Sequence, residues 1–314
     1  MINKNTKNTK ITVLMGGPSD EAEISRKTGK AIVNALSGLG YSVVGLEYHP
    51  ECVLKQLQEL NTEIVFLALH GKYGEDGTIQ GLLELAGIPY TGSGVSSSAI
   101  TMDKIFTAHI FKEQGIRMAK SMSFKEKEGI DFVNNQILKN FNMPVVLKPA
   151  CEGSTIGIEI VKESNDLKDA ICRVFKVESR ILVEEYLDGE EFTVPVMNGK
   201  AMPVIQICPH SGQYDFHSKY TKGATDYLVP APISEELKSE MQLMAEKGYH
   251  VAECEGVVRF DMRTDHNGVP YVLEANSIPG MTETSLVPKS AANIGISFAK
   301  LCEMILEGAG LNKV

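Results

Sequence analysis

The sequence predicts an α/β protein: an amino-terminal parallel sheet covered by helices, followed by two smaller α+β units. Three observations predict it. Apolar strands and helical patterns alternate through the first ninety residues, which is the signature of parallel pairing in a sheet covered on both faces. Two strands near 190–208 follow each other at short spacing and therefore pair antiparallel. A third pair, at 256–276, is joined across Asn267-Gly268, a strong hairpin signal. At 314 residues the chain is also long for a single core, so two or three packed units are expected.

In chain order, ITVLM (11–15) is a strand stopped by Gly16-Gly17-Pro18. A helix follows from about Asp20 to Leu39, with Ile24, Thr28, Ala31, Ile32 and Ala35 on one face. SVVGLEYH is a strand, PECVLKQLQEL a helix and EIVFLALHG a third, strongly apolar strand. The first unit ends near Tyr90-Thr91-Gly92 and spans 1–92. A helix with Met102, Ile105, Phe106, His109 and Ile110 in register opens the second unit, 93–183. MPVVLKP and IGIEIV are strands, DLKDAICRVF is a helix, and RILVEEYL carries the chain into the third unit, 184–314. There EEFTVPVMNG and KAMPVIQICP are strands, 209–230 is a long polar loop of the kind that serves as a lid, and EELKSEMQLMAEKGYHVAE is a helix. FAKLCEMILEGAG closes the chain as a helix.

The net charge of −9 argues against a protein that lives on nucleic-acid phosphates. The polar opening MINKNTKNTK has no apolar core of a secretory signal, and no apolar run approaches the roughly 20 residues that span a bilayer. Six scattered cysteines (52, 151, 172, 208, 254 and 302) show no metal-type spacing and read as thiols of a reducing compartment. A cytoplasmic location without membrane or nucleic-acid partners is expected.

The chemistry concentrates in the hairpin. In GVVRFDMR, Val257, Arg259 and Asp261 share a face, and in GVPYVLEAN so do Val272, Glu274 and Asn276, with Tyr271, Leu273 and Ala275 opposite. A two-residue type I′ turn would set Asp261 opposite Glu274 and Arg259 opposite Asn276; a longer turn would shift the register. Carboxylates paired across a ladder stand only ~4.5–5.5 Å apart and repel. An oxygen-loving divalent cation offsets that repulsion, and Asp, Glu and an Asn amide oxygen are ligands that magnesium accepts beside water and phosphate oxygens. A solvated sheet face is the plain alternative for any one of these residues, and a weaker one for four together.

MPVVLKPACEGSTIG (143–157) places Lys148 at the end of a strand, before a loop with two glycines and Ser154-Thr155. Backbone amides, a point charge and hydroxyls suit phosphate oxygens. It is neither a GxxxxGK[ST] loop nor a dinucleotide fingerprint, and a plain turn is an equal reading of it alone. Lys104 stands on the helix that opens the second unit.

Together the segments resemble the ATP-grasp superfamily and, more narrowly, the D-alanine–D-alanine ligases. The signatures are MGGPSDEAEIS (15–25), LALHGKYGEDGTIQG (67–81), YTGSG (90–94), MDK (102–104), VLKPACEGSTIG (146–157), EEFTV (190–194), SKYTKGATDYLVP (218–230), VRFDM (258–262) and LEANSIPGMTETSLVP (273–288). They span nearly the whole chain in the family's order. The resemblance implies an ATP-grasp fold, an N-terminal α/β domain followed by two subdomains that clasp ATP, in a cytoplasmic and usually dimeric enzyme of peptidoglycan synthesis. Lys104, Lys148 and the loop at Ser154 would contact the phosphates, and Glu184 and Glu191 the adenine and ribose. Asp261, Glu274 and Asn276 would hold two magnesium ions (or manganese in their place), with Glu274 bridging.

The first D-alanine carboxylate would take the γ-phosphoryl group, and the second D-alanine's amine would displace phosphate through a tetrahedral intermediate. Arg259 and the Gly280 N–H would stabilise that oxyanion. Glu21 would bind the first ammonium, His70 would lie near the first carboxylate, Ser285 and Lys219 would hold the second, and Leu286 would line the second methyl pocket. Glu21, Ser154 and Tyr220 correspond to the family's hydrogen-bonded trio that closes the site. Cys151 stands where relatives often carry arginine and Ser277 where threonine is common, which leaves the closure of the phosphate loop open.

The resemblance also separates neighbouring activities. Ligases forming the D-alanyl-D-lactate ester lack the Lys219–Tyr220 arrangement, so an amine acceptor is expected. D-Serine as acceptor remains an alternative, because a small pocket rejects one hydroxyl weakly. A ligase for other carboxylates and amines is disfavoured by the SLVP segment (285–288). A regulator that binds nucleotide without catalysis would have lost a metal ligand or Arg259, and all are present.

Overall fold

Unbroken apolar residues at 11–15 make a strand with no solvent face. β1 (Lys10–Met15) is buried at every position after the first and lies between β2 (Ser42–Glu47) and β3 (Ile64–Leu67), parallel to both. The computed structural model describes residues 7–153, 155–212, 218, 221 and 223–313; Ser154, Lys219 and Tyr220 lie outside them. α1 (Ala22–Gly38) and α2 (Val53–Glu59) alternate with these strands as expected. The buried stripe of α1 is Ser25, Thr28, Gly29, Ile32 and Leu36, which keeps Thr28 and Ile32 of the expected face and turns Ile24, Ala31 and Ala35 to its half-buried edge. The reason is close approach: a Cβ on Gly29 would lie 2.5 Å from that of Met15, so the helix presses its glycine onto β1. β3 stops at Leu67, and residues 68–71 leave the sheet at its carboxyl edge, carrying His70. α3 (Thr78–Ala86) completes this part of the chain.

The small-residue stretch after Gly92 is helical. α4 (Val95–Met102) and α5 (Lys104–Glu113) are separate helices, not one. Asp103 breaks them and caps α5, its Oδ1 accepting from the Ile105 and Phe106 N–H groups. The cap sets the phase of α5, so Lys104, Ile105, Thr107, Ala108 and Phe111 face inward. Phe106, expected in the buried register, is 55% exposed.

The second sheet has the order β4-β7-β5-β6, formed by β4 (Ser121–Lys125), β5 (Val145–Pro149), β6 (Glu159–Val161) and β7 (Arg180–Glu185), antiparallel throughout. α6 (Ile130–Asn140) and α7 (Leu167–Val177) share its core through Val133, Ile137, Ile171 and Val174.

The third sheet runs β11-β10-β8-β12-β13, with the short β9 (Lys200–Ala201) beside β8. Its strands are β8 (Glu191–Met197), β10 (Ile205–Pro209), β11 (Thr225–Leu228), β12 (Val257–Thr264) and β13 (Pro270–Asn276). β8 and β10 pair antiparallel as their spacing predicts. The expected loop 209–230 is shorter, because residues 225–228 add an edge strand to β10. The helix Glu235–Val251 starts at Ser234, whose hydroxyl accepts from the Leu237 N–H, and it buries Met241 and Ala245 against Phe260.

The last helix, Phe298–Glu307, returns to the first sheet, where Leu301, Cys302 and Ile305 join Ile11, Val13, Ile32 and Leu36 in one core. Tyr90 bridges Val65 on one side and Gly310 on the other, so residues from both ends of the chain extend one sheet. No helix among the described residues is long and apolar enough to cross a membrane.

Candidate active site

In open parallel sheets, ligands gather at the carboxyl ends of the strands. Here β1 delivers the turn that carries Glu21, and β3 delivers His70. These two face the end of β13 and the start of α5 across a cavity of 520 Å³. Of the residues the sequence singles out, Glu21, His70, Lys104, Arg259, Glu274, Asn276, Gly280, Ser285 and Leu286 line it. Lys148, Glu184, Glu191 and Asp261 do not.

The β12–β13 register sets Asp261 opposite Glu274 and Arg259 opposite Asn276, as expected, but by a different route. The turn is not a two-residue type I′. Gly268 N–H bonds the Asp265 carbonyl, and Asp265 pairs with Val269, so three residues lie in the loop. Gly268 supplies the positive φ of +77° that this turn requires. The pairing is thereby shifted by one residue near the tip, and a β-bulge between Asp261 and Met262 restores it. The bulge also changes a face: Val272, expected beside Glu274, is fully buried in the same core as Ala275, Phe260 and Met262.

Arg259 grips Asp261 with two parallel bonds, Nε to Oδ1 and Nη2 to Oδ2, each 2.7 Å. Thr193 Oγ1 donates a further bond of 2.7 Å to Oδ1. Glu274 Oε2 lies 3.5 Å from the Lys104 ammonium, which donates at 2.6 Å to the Glu152 carbonyl of the phosphate loop. Asn276 Oδ1 is buried without a hydrogen-bond partner among the described residues. A buried amide oxygen left unmatched beside two carboxylates fits an oxygen-seeking cation.

Lys148 lies behind this rim, 2.6 Å from Glu184. Burial works against its ammonium, but the Glu184 carboxylate, aided by Glu274 and Glu191, more than offsets that and raises its pKa. Glu191, on β8, faces Arg263 across the ladder, with oxygen and nitrogen 3.8 Å apart. Glu184 and Glu191 therefore stand on different sheets on either side of the chain's crossing from β7 to β8.

At the other wall, burial lowers the His70 pKa against the opposing pull of Glu21, so the imidazole is neutral at pH 7. Glu21 approaches the phosphate loop closely: a Cβ on Gly153 would lie 2.7 Å from its Oε2. Ser285 Oγ accepts from the Thr282 N–H at 3.1 Å and pairs with the Thr282 hydroxyl at 2.8 Å. Leu286 is buried beside Ile205 and Ile207, with Tyr227 against the same cluster.

Sequence reasoning missed Glu75, a buried carboxyl on the cavity wall. Burial, with Glu21 nearby, pushes it up to about 8, although the Gly71 N–H donates to it. Its segment, GKYGEDG, entered only as part of the signature at 67–81, with no role for the carboxyl itself. Because the folded pKa exceeds the unfolded value near 4.5, the stability held by the neutral acid is whole below that value and disappears as pH rises through about 8. Glu75→Gln should therefore flatten the fall in urea midpoint between pH 5 and pH 8.5 (roughly the window set by those two values). An unchanged slope would show that Glu75 ionises freely in the fold.

Known proteins are similar to this chain over nearly its whole length. Residues 110–307 match the family described as "D-ala D-ala ligase C-terminus" and residues 50–93 that described as "D-ala D-ala ligase N-terminus". A D-alanine–D-alanine ligase of Syntrophotalea carbinolica is 45% identical over 304 residues, 97% of either chain. One from Anaeromyxobacter sp. is 43% identical, covering 96% of this chain and 97% of its own. Among solved structures, the D-alanine–D-alanine ligase from Bacillus anthracis complexed with ATP matches at TM-score 0.84 and 35% identity, over 96% of this chain and 97% of that one. A D-Ala:D-Ser ligase from Enterococcus faecalis matches at 0.82 and 29%, over 96% and 99%.

The fold is thus that of the ATP-grasp ligases. The chain belongs to the D-alanine–D-alanine ligase family.

Proposed function

We propose that the protein joins two D-alanines into D-alanyl-D-alanine, converting ATP to ADP and phosphate, and so supplies a peptidoglycan precursor. The observation that carries this reading is the convergence of Glu21, Lys104, Arg259 and Glu274, from all three sequence units, on one cavity. In this reading the chain divides at residues 92 and 183; β7 runs across the second of these boundaries, and the final helix is laid back on the first sheet.

Lys104, Lys148 and the loop from Ala150 through Ser154 hold the phosphates, with Glu184 and Glu191 at the adenine and ribose. Phosphoryl transfer asks mainly for positioning and neutralisation of charge. Asp261, Glu274 and Asn276 would hold two magnesium ions. Bound there, magnesium neutralises charge on the transferring phosphoryl group. Glu21 and His70 orient the first D-alanine so that its carboxylate attacks the γ-phosphorus and ADP leaves. The second amine then attacks the acyl carbon, and phosphate departs. Arg259 and the Gly280 N–H stabilise the oxyanion in between. Ser285 and Lys219 hold the second carboxylate against Leu286. A homodimer in the cytoplasm completes the reading.

Phosphate release from ATP with D-alanine against L-alanine tests it; release with L-alanine alone, or with neither, would overturn it. D-Serine as second substrate is the competing reading, supported by the likeness to the Enterococcus faecalis D-Ala:D-Ser ligase. Product analysis with D-serine in place of excess D-alanine decides between them. Tyr220→Phe should raise the proportion of ester to dipeptide when D-lactate competes with D-alanine, by roughly the factor of 10 that one lost polar contact commands. A constant product ratio would remove Tyr220 from acceptor selection.

A further inference from the structure

Asp103, Cys151, Glu178 and Arg180 do not line the cavity, yet they tie together the three segments that present Lys104 and the phosphate loop. Asp103 uses both carboxylate oxygens: Oδ1 caps α5, and Oδ2 accepts from Arg180 Nη1 at 2.7 Å. The other arm of the same guanidinium, Nη2, donates to Cys151 Sγ at 3.1 Å and lies 3.5 Å from Glu178 Oε1. Glu178 Oε2 in turn accepts the Cys151 N–H at 2.7 Å. Main-chain bonds close the ring, from Ala150 N–H to the Arg180 carbonyl at 3.1 Å and from Lys104 N–H to the Ala150 carbonyl at 2.9 Å.

The ring has a mechanical consequence. The Lys104 ammonium reaches the loop at the Glu152 carbonyl, while the backbone at the same residue is bound to Ala150. A planar guanidinium with fixed donor directions reaches three partners at once, which a flexible ammonium does not. Asp103 is 5% exposed and the Arg180 side chain 32%, so their bond is shielded from water on the carboxylate side.

We propose that Arg180 is a positioning residue for ATP: it fixes the start of α5 to the base of the phosphate loop, so that the Lys104 ammonium and residues 150–153 act as one phosphate clamp. This rests on the reading of Lys104 as a phosphate contact. Arg180 touches no substrate and acts through Asp103 and Cys151.

The test measures ATP binding without D-alanine, and steady-state kinetics, on the full chain. In Arg180→Ala, the Kd and KM for ATP should rise roughly tenfold, the scale for residues that orient a ligand-contacting group. The kcat should fall by less than about threefold and the KM for D-alanine should hold, since Glu21, His70 and Ser285 are not in the ring. Arg180→Lys should fall between native and alanine, and Asp103→Asn, which keeps an oxygen for the cap, should be non-additive with Arg180→Ala. Urea midpoints accompany each variant; if Arg180→Ala does not fold, Arg180→Lys and Asp103→Asn carry the same comparison. ATP affinity within twofold of native, or equal rises in both KM values, would overturn the inference. Lys104→Met separates the two levels. If it weakens ATP binding and Arg180→Ala does not, the positioning role alone fails. If neither weakens it, the phosphate reading of Lys104 fails too. If only Arg180→Ala weakens it, the effect bypasses Lys104 and the inference falls.

Discussion

Glu274→Gln should reduce kcat by about 100-fold or more and raise the magnesium concentration needed for half-maximal rate, while leaving the unfolding midpoint close to native. The side chain keeps its length and its place opposite Asp261, so geometry changes little. Its charge is what disappears. Lys104, which lies 3.5 Å from Glu274, retains the Glu152 carbonyl as partner, and Asp261 loses a like-charged neighbour across the ladder. Stability therefore has small losses, at Lys104 and at the buried Lys148, set against one small gain. Catalysis has only the loss, because a neutral amide is a poorer ligand for a doubly charged ion than a carboxylate. Magnesium titrations of rate, with urea unfolding beside them, check both halves. Full activity at low magnesium would remove Glu274 from the metal site.

Arg259→Lys should cost roughly 100-fold in kcat, the scale for losing one preorganised donor to a developing oxyanion, with KM for ATP changed by less than about threefold. Arg259 lines the cavity, and two of its nitrogens hold both Asp261 oxygens. A lysine offers one compact charge and cannot both grip Asp261 in that way and face the cavity. The loss belongs in kcat because the proposed contact exists only in the tetrahedral intermediate, and an interaction absent from the ground state leaves substrate binding alone. A variant whose KM for D-alanine rises while kcat holds would assign Arg259 to substrate binding instead.

Much of the architecture was legible because strand and helix periods report which residues face a core. β1, β2 and β3 alternate with helices, and that alternation argued for the parallel pairing they adopt. The hairpin carboxylates were legible from alternation and an assumed turn, although a longer loop and a bulge are what pair them. What periodicity does not carry is phase. The cap at Asp103 restarts a helix and turns Phe106 outward, and the bulge opposite Asp261 sends Val272 to the core although Glu274 faces the cavity. Both are single-residue events with large angular effects.

The site was legible where residue type implied chemistry, as at Arg259 and Glu274. Glu75 was not, because an acid among glycines carries no mark of burial; its environment comes from the Gly71 backbone and Glu21, which only the fold assembles. The pairing of Lys148 with Glu184 likewise depends on β5 and β7 lying side by side. Ser154, Lys219 and Tyr220 rest on the sequence resemblance.

The return of the final helix to the first sheet bears on how the molecule is made. Side chains of β1 and α1 share their core with Leu301, Cys302 and Ile305, so the amino-terminal layer remains partly uncovered while the ribosome is still translating the rest. Vectorial synthesis favours early folding of leading segments, but here that advantage is withheld: β1 and α1 are sealed by a helix made more than 250 residues later.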